Sequence, residues 1–211
     1  FGGGLAFPPG GPTAITESWN GSNWTEVNDM NTARTYFGSA GATNTACLAF
    51  GGDPVTTITE NWNGTNWTEV NDLNTQRDLL AGNGTNTSAL AYGGETPSAT
   101  AATESWNGTN WTSVNSMNTV RRRLAGAGAS NTSGLAFAGK ISLGPDPVTG
   151  ATESWNGSNW TEVGDMSVAR EFLGSSGTNS SALGFGGNIP PSTTSTEEFS
   201  SGPATVTLTT S

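Results

Sequence analysis

The chain has 211 residues and a net charge of −10, with only 11% of its residues charged. Because binding to phosphate groups needs clustered Lys and Arg, its 7 basic residues argue against nucleic acid and anionic membrane surfaces as partners. The chain has no His, which removes the commonest general base and most zinc sites, and its single Cys provides no disulfide framework. No apolar run reaches the length of a membrane span. We therefore expect no metal, no cofactor and no membrane insertion.

An internal repeat dominates the sequence. The string Thr-Glu-Ser-Trp-Asn-Gly-Ser-Asn-Trp-Thr-Glu-Val begins at Thr16 and returns at intervals of 43 to 49 residues, with later copies starting at Thr59, Thr103, Thr152 and, in degenerate form, Thr196. A second string places a Leu two residues before an aromatic residue, with copies near 4–7, 47–52, 89–94, 134–139 and 182–187. A third opens with an Arg and a large apolar residue, at 34–37, 77–80, 121–124 and 170–173.

Each repeat predicts four short strands, which in the second copy run in chain order from a to d. Strand a (34–41) is rich in Gly, Ala and Ser, and strand b (45–51) carries its Leu and aromatic residue on one face. Strand c (57–62) and strand d (66–71) flank an Asn-Gly dipeptide, whose tolerance of positive φ is a strong hairpin signal. Four antiparallel strands that recur in this way are typical of a β-propeller blade.

These repeats resemble the kelch repeat. The resemblance rests on the Gly doublet that closes strand b (Gly51-Gly52), an aromatic residue closing strand c and a Trp opening strand d, and it covers essentially the whole chain. The sequence departs from the family where Trp62 replaces the usual Tyr and where Ala138-Gly139 replaces a Gly doublet. The resemblance implies a β-propeller. The near-identical sequences of the copies also resemble repeats of virion-surface and metagenomic phage proteins. This second resemblance bears on where the protein is found rather than on its fold.

We therefore predict one all-β domain over residues 1–211, a β-propeller of five blades with four antiparallel strands each and a kelch-like repeat of about 44 residues. An inner strand with little side-chain volume suits a tight ring, which favours five blades. The approximate blades are 1–31, 32–74, 75–118, 119–167 and 168–211. The first repeat shows only strands b, c and d, and we expect its strand a either upstream of Phe1 or replaced by the Gly-rich start. Closure within one chain would place 204–210 beside residues 1–30.

Two repeated sets of side chains have both an architectural and a chemical interpretation. The tryptophans that flank each c–d hairpin either wedge between blades or stack on sugar rings, one site per blade: Trp19, Trp24, Trp62, Trp67, Trp106, Trp111, Trp155 and Trp160. We expect the interblade role.

The repeated Glu of strand c and Arg before strand a suggest structural ion pairs, because an active site needs one set of catalytic residues rather than the same set in every blade. Most Asn-X-Ser/Thr sequons follow from copying one hairpin turn.

The loops between strands b and c differ in every repeat, whereas the a–b and c–d turns are near-copies. Because loops carry the specificity of many folds, we expect any ligand on the b–c face. Neutral drift on an exposed face is the alternative. The candidate ligand-binding residues are Asp53, Glu95, Arg122, Arg123, Lys140 and Asp146.

These features predict a non-enzymatic recognition or structural module of a virion surface or extracellular assembly, with a protein or a glycan as partner. It would be part of a larger assembly or of a longer chain. The alternative is a multivalent lectin with one sugar site per blade. A glycan-processing hydrolase is a third hypothesis, and it would use carboxylates outside the repeat register: Asp53, Asp78, Glu95, Asp146 or Glu171. Nothing in the spacing of these residues singles out a catalytic pair, so no catalytic residue is assigned.

Overall fold

A computed structural model of the chain describes residues 2–5, 10–141, 148–189 and 192–201. These residues form strands and connecting turns with no helix, and among them nothing is long and apolar enough to cross a membrane as a helix. All strands pair antiparallel with their sequence neighbours, which confirms an all-β protein built from repeated meanders.

The strands group into five consecutive sheets. The N-terminal sheet contains β1 (Gly2–Leu5), β2 (Pro12–Trp19) and β3 (Trp24–Val27). Blade 1 contains β4 (Gly38–Thr43), β5 (Ala46–Phe50), β6 (Thr59–Trp62) and β7 (Trp67–Val70). Blade 2 contains β8 (Ala81–Thr85), β9 (Ser88–Tyr92), β10 (Thr103–Trp106) and β11 (Trp111–Val114). Blade 3 contains β12 (Ala125–Ser130), β13 (Ser133–Phe137), β14 (Thr152–Trp155) and β15 (Trp160–Glu162). Blade 4 contains β16 (Gly174–Gly177), β17 (Ser181–Phe185) and β18 (Thr196–Ser200).

Four inner strands surround the axis of the molecule. β4, β8, β12 and β16 follow one another side by side, and residues of all four line a central cavity of about 540 Å3. The structure is therefore a β-propeller with four blades, and the N-terminal sheet lies against blade 1 without an inner strand of its own.

The predicted five blades of four strands are not what the structure shows. The first repeat contributes the three strands counted from the sequence, and the described residues before β2 supply a single strand, β1, so this repeat adds no fifth inner strand to the ring. Blade 4 has three described strands that end at Ser200. The segment 204–210, expected beside residues 1–30, lies outside the described residues.

Successive sheets are joined by apolar contacts that the repeat supplies. Between blades 1 and 2, Leu48 and Phe50 of β5 pack against Trp106 and Trp111. The Phe50 and Trp111 rings meet edge-on with 4.9 Å between centroids, and Trp111 Nε1 donates to Thr59 Oγ1 at 3.1 Å. Six of the eight tryptophans are buried in this way, which confirms the interblade role: Trp62, Trp67, Trp106, Trp111, Trp155 and Trp160.

The small residues of the inner strands make room for the aromatic residue of the neighbouring blade. Tyr92 of blade 2 lies against Gly126 of β12, where an added Cβ would overlap its hydroxyl, and it donates to Leu135 O at 3.2 Å. The doublet after strand b has a backbone requirement instead. Both of its residues take positive φ in each blade, and Ala138 does so at φ 61° where the other blades have Gly.

A buried ion pair anchors each blade. Arg77 donates to Glu104 at 2.9 Å and to Ala102 O at 2.8 Å, and both charged side chains are essentially inaccessible. Burial lowers the pKa of Arg77, and the nearby Glu104 carboxylate opposes that effect. The second carboxylate oxygen accepts from the backbone N and the side chain of Asn74, both at 2.7 Å. The pairs in the other blades are Arg34–Glu60, Arg121–Glu153 and Arg170–Glu197, as predicted.

Replacing Trp111 with Ala should lower the free energy of unfolding by about 3–5 kcal/mol, because it removes a buried ring from an interblade core. Trp24→Ala is the matched control, since Trp24 is 54% exposed and its loss should cost about 1 kcal/mol or less. Urea denaturation of both variants measures the difference. Equal losses would contradict the assignment of Trp111 to the core.

Glu104→Gln should cost about 3–5 kcal/mol, because it leaves the buried Arg77 charge without a counter-charge. Glu69→Gln is the control, since Glu69 lies exposed on β7 and should change stability by less than about 0.5 kcal/mol. Both are read from urea denaturation midpoints. A loss below about 1 kcal/mol in Glu104→Gln would show that the pair does not hold the blade together.

Candidate functional site

The unlike loops lie on one face of the propeller, at the end where the inner strands begin. Each b–c loop pairs by an isolated β-bridge with the residue that follows the buried Arg of its own blade. The four bridges are Thr35–Asp53, Asp78–Glu95, Arg122–Lys140 and Glu171–Asn188. We call this surface the mouth face. Because each bridge holds a loop residue against the start of an inner strand, sequence differences between the loops are presented close to the axis.

A ring of four residues with positive φ lies next to these bridges. They have φ values of 52° to 55°, and they are Tyr36, Leu79, Arg123 and Phe172. Each of the last three donates its backbone N–H to the carbonyl oxygen of the member in the preceding blade, at 2.8 to 3.0 Å. A non-Gly residue in this region costs on the order of 1–3 kcal/mol, and such strain is concentrated at functional sites. The backbone bonds explain the conformation, but they do not require large side chains.

Two side chains of this ring, Tyr36 and Phe172, form an exposed aromatic cluster. Tyr36 and Phe172 are 45% and 46% exposed, and their rings lie 6.0 Å apart between centroids. The Arg123 guanidinium lies over the Phe172 ring at 4.7 Å from its centroid, within cation–π range. Arg123 also pairs with Glu171 at 3.1 Å. The cluster is therefore a flat apolar surface with a fixed cation at its edge.

Charges of opposite sign flank this cluster on different blades. Asp53, Asp78 and Glu95 come from blades 1 and 2, whereas Arg122 and Lys140 come from blade 3. Arg122 Nη1 donates to Glu95 Oε2 at 2.6 Å, which ties the acidic side to the basic side. The mouth face thus offers an acidic side, a basic side and aromatic rings close to both.

Asp78 is held in an unfavourable environment. It is 7% exposed, and its Oδ1 has no hydrogen-bond partner in the part of the chain that the structure describes. Its pKa is raised, first by burial and then by the nearby charges of Glu95 and Asp53. A buried carboxylate oxygen that accepts no hydrogen bond normally costs stability, and its retention on the mouth face marks a candidate contact for a ligand.

Asp78→Asn should raise the thermal midpoint at pH 7. The pKa of Asp78 is higher in the folded chain than in the unfolded one, so ionisation destabilises the fold as pH rises above the unfolded value of about 3.9. The gain should therefore shrink as pH falls toward the unfolded pKa of about 3.9, and it should be lost below that value, where the wild-type carboxyl becomes neutral in both states. Scanning calorimetry across this range measures it.

Glu162→Gln is the control for this measurement, since Glu162 lies exposed on β15 and should leave the midpoint nearly unchanged. A lower midpoint for Asp78→Asn at pH 7 would show that the ionised carboxylate stabilises the fold.

The structure brings together most of the residues that the sequence singled out. Asp53, Glu95, Arg122, Arg123 and Lys140 all lie on the mouth face, and Asp146 lies outside the described residues. The alternative sugar-stacking role does not fit the six buried tryptophans, whose rings are covered by neighbouring sheets. Trp19 and Trp24 are exposed.

Sequence reasoning missed Tyr36 and Phe172. A signal for them existed, because the two residues between the repeated Arg and the repeated apolar residue differ in every copy. They read Thr-Tyr, Asp-Leu, Arg-Arg and Glu-Phe. This variation inside a repeated string is the same signal that the b–c loops carry.

The described residues contain no group of three or more His, Cys, Asp and Glu side chains placed to hold a metal ion. No protein-family model matches the chain, and no curated protein matches it either. Neither comparison therefore confirms the resemblance to the kelch repeat.

Proposed function

We propose that this chain is a non-enzymatic recognition module that binds a protein partner at its mouth face. One observation carries the proposal. The strained ring position next to the buried Arg holds a different large side chain in each blade, and Tyr36 and Phe172 are nearly half exposed there. The fold requires only the backbone conformation at this position and not a large side chain. A smaller residue such as Asn would adopt that conformation with less strain.

The two faces of the propeller differ in the way that a recognition function requires. The opposite face carries turns that are near-copies, each closed by an Asn side chain accepting from the backbone, as Asn63 does from Thr65 and Asn66 at 2.9 Å. The mouth face carries the unlike loops and the unlike ring residues. The repeated residues form the scaffold, whereas the residues that differ between blades lie on the mouth face. This distribution supports binding at the mouth face.

The composition of the mouth face favours a protein partner over a sugar. Tyr, Phe and Arg are enriched at the centres of protein interfaces, where rigid rings fill pockets and guanidiniums stack or pair. Tyr36, Phe172 and Arg123 form such a centre, with ion pairs at its rim. A partner that presents an apolar side chain between groups of both charges would complement it.

We propose the surface of a virion or of another extracellular assembly as the setting. The chain has one Lys and a net charge of −10, and its polar positions are mostly Thr, Ser and Asn. Such a surface resists nonspecific association with nucleic acid and anionic membranes. We also propose that the repeats are kelch-like, which is supported by the positive φ of both residues in each doublet.

The arrangement of carboxylates favours binding over glycan cleavage. A glycosidase needs two carboxyl groups that reach the scissile bond from opposite sides. Asp78 is almost fully buried, and Glu95 is occupied by Arg122 at 2.6 Å. Neither is free to flank a sugar in this arrangement, so we assign no catalytic residue.

The proposal is tested by selecting binders to the wild-type chain from a random peptide display library and, in parallel, by probing a glycan array. We expect peptides rich in apolar and charged residues to bind, and the double substitution Tyr36→Ala/Phe172→Ala to weaken them at least tenfold. Thr109→Ala, on a c–d turn of the opposite face, is the control and should bind as the wild type does.

Selected peptides that bind the double variant unchanged would place recognition elsewhere on the molecule. Binding of glycans without peptides would favour the lectin alternative. Failure of both libraries would overturn the proposal.

A further inference from the structure

The interfaces between successive sheets all have the same direction. The Trp pairs of blades 2 and 3 pack on strand b of the sheet before them, as the ring contacts Phe50–Trp111 and Tyr92–Trp160 show at 4.9 and 5.0 Å. The indole of the second Trp then donates to the Thr that opens strand c of the earlier sheet, at 3.0 to 3.1 Å. These bonds are Trp67–Thr16, Trp111–Thr59 and Trp160–Thr103. A sheet therefore has a Trp face and a strand-b face.

The N-terminal sheet presents a Trp face that the described part of the chain leaves about half exposed. Trp19 and Trp24 are 44% and 54% exposed, whereas their buried counterparts are at most 8% exposed. Their rings lie 5.5 Å apart at 47°, nearly the geometry of the buried pair Trp62 and Trp67, at 5.5 Å and 45°. This face is thus already arranged for the contact that the buried pairs make.

Blade 4 presents the matching strand-b face. Leu183 and Phe185 of β17 are each 43% exposed, although their counterparts in blade 1, Leu48 and Phe50, are 1% and 0% exposed. Thr196 opens β18 at the position of the Thr that accepts from an indole in the earlier sheets, and it is exposed. The chain therefore carries both halves of its own interblade contact, one half at each end of the series of sheets.

We propose that a second copy of this chain binds head to tail, so that Trp19 and Trp24 of one molecule pack on Leu183 and Phe185 of the next. The two faces differ and complement each other, which makes the contact heterologous, and each added copy leaves one free face of each kind. Within one molecule the Tyr36–Phe172 contact already joins the start of blade 1 to blade 4, and both faces remain exposed in that arrangement. Among the described residues, neither face is covered, so a second copy can reach both.

The charge of the chain predicts how salt affects this contact. Each copy carries a net charge of −10, so two copies repel each other at low ionic strength. The contact itself is formed by apolar side chains and one hydroxyl acceptor, which salt does not weaken. Association should therefore strengthen as salt shortens the screening distance, about 10 Å at 0.1 M and about 3 Å at 1 M.

The test uses two double variants, each of which removes one face. Trp19→Ser/Trp24→Ser removes the Trp face, and Leu183→Thr/Phe185→Thr removes the strand-b face. Sedimentation velocity at increasing concentration should show wild-type species larger than dimers, while each variant alone stays monomeric. An equimolar mixture of the two variants should form dimers and nothing larger, because each retains one complementary face.

Val55→Ser/Val120→Ser is the matched control, since it replaces exposed apolar side chains of loops outside both faces and should associate as the wild type does. A second measurement uses the wild type alone, so it does not depend on whether the variants fold. Diluting the wild type should dissociate the contact and shift its Trp emission to the red, because Trp19 and Trp24 become exposed to water. A wild type that is monomeric at every concentration and salt, or a variant mixture that forms no dimer, would overturn the proposal. This contact is independent of ligand binding at the mouth face, because Tyr36→Ala/Phe172→Ala removes no residue of either face.

Discussion

A buried arginine in each blade ties together segments that are far apart in the sequence. In blade 2 the Arg77 guanidinium contacts strand β10 through Glu104, and the same carboxylate holds Asn74 in the connection from the blade before. Desolvating such a pair is expensive, and losing either member leaves an uncompensated charge in the interior. This constraint explains why the Arg and the Glu recur in every blade.

The buried Arg–Glu pair also separates the residues that hold the fold together from those that the mouth face displays. Once the Arg and the following apolar residue are fixed, the two residues between them lie on the mouth face regardless of their identity. The fold tolerates Thr-Tyr, Asp-Leu, Arg-Arg and Glu-Phe there. It even holds Asp78 with one oxygen unpaired. The propeller can therefore change what it displays without changing how it is held together.

The sequence predicted the local structure well because local signals determine it. Asn-Gly turns, the two-residue spacing of Leu48 and Phe50, and the paired tryptophans specify strands and their packing on a neighbour. The number of blades is different in kind, since it depends on the angle between neighbours and on whether each repeat has an inner strand. No residue pattern reports that angle, and the expected five blades were wrong for this reason. Tyr36 and Phe172 were missed because the variation was sought only in loops.

The one-way packing of the tryptophans bears on how the chain acquires its structure. The Trp pairs of blades 2 and 3 use a surface on the sheet that precedes them, and strand b of that sheet is complete more than fifty residues earlier in the chain. During synthesis, which proceeds from the amino terminus, every hairpin would then emerge beside a surface that is already formed. A propeller with this polarity can be assembled blade by blade at the ribosome, without waiting for its last strand.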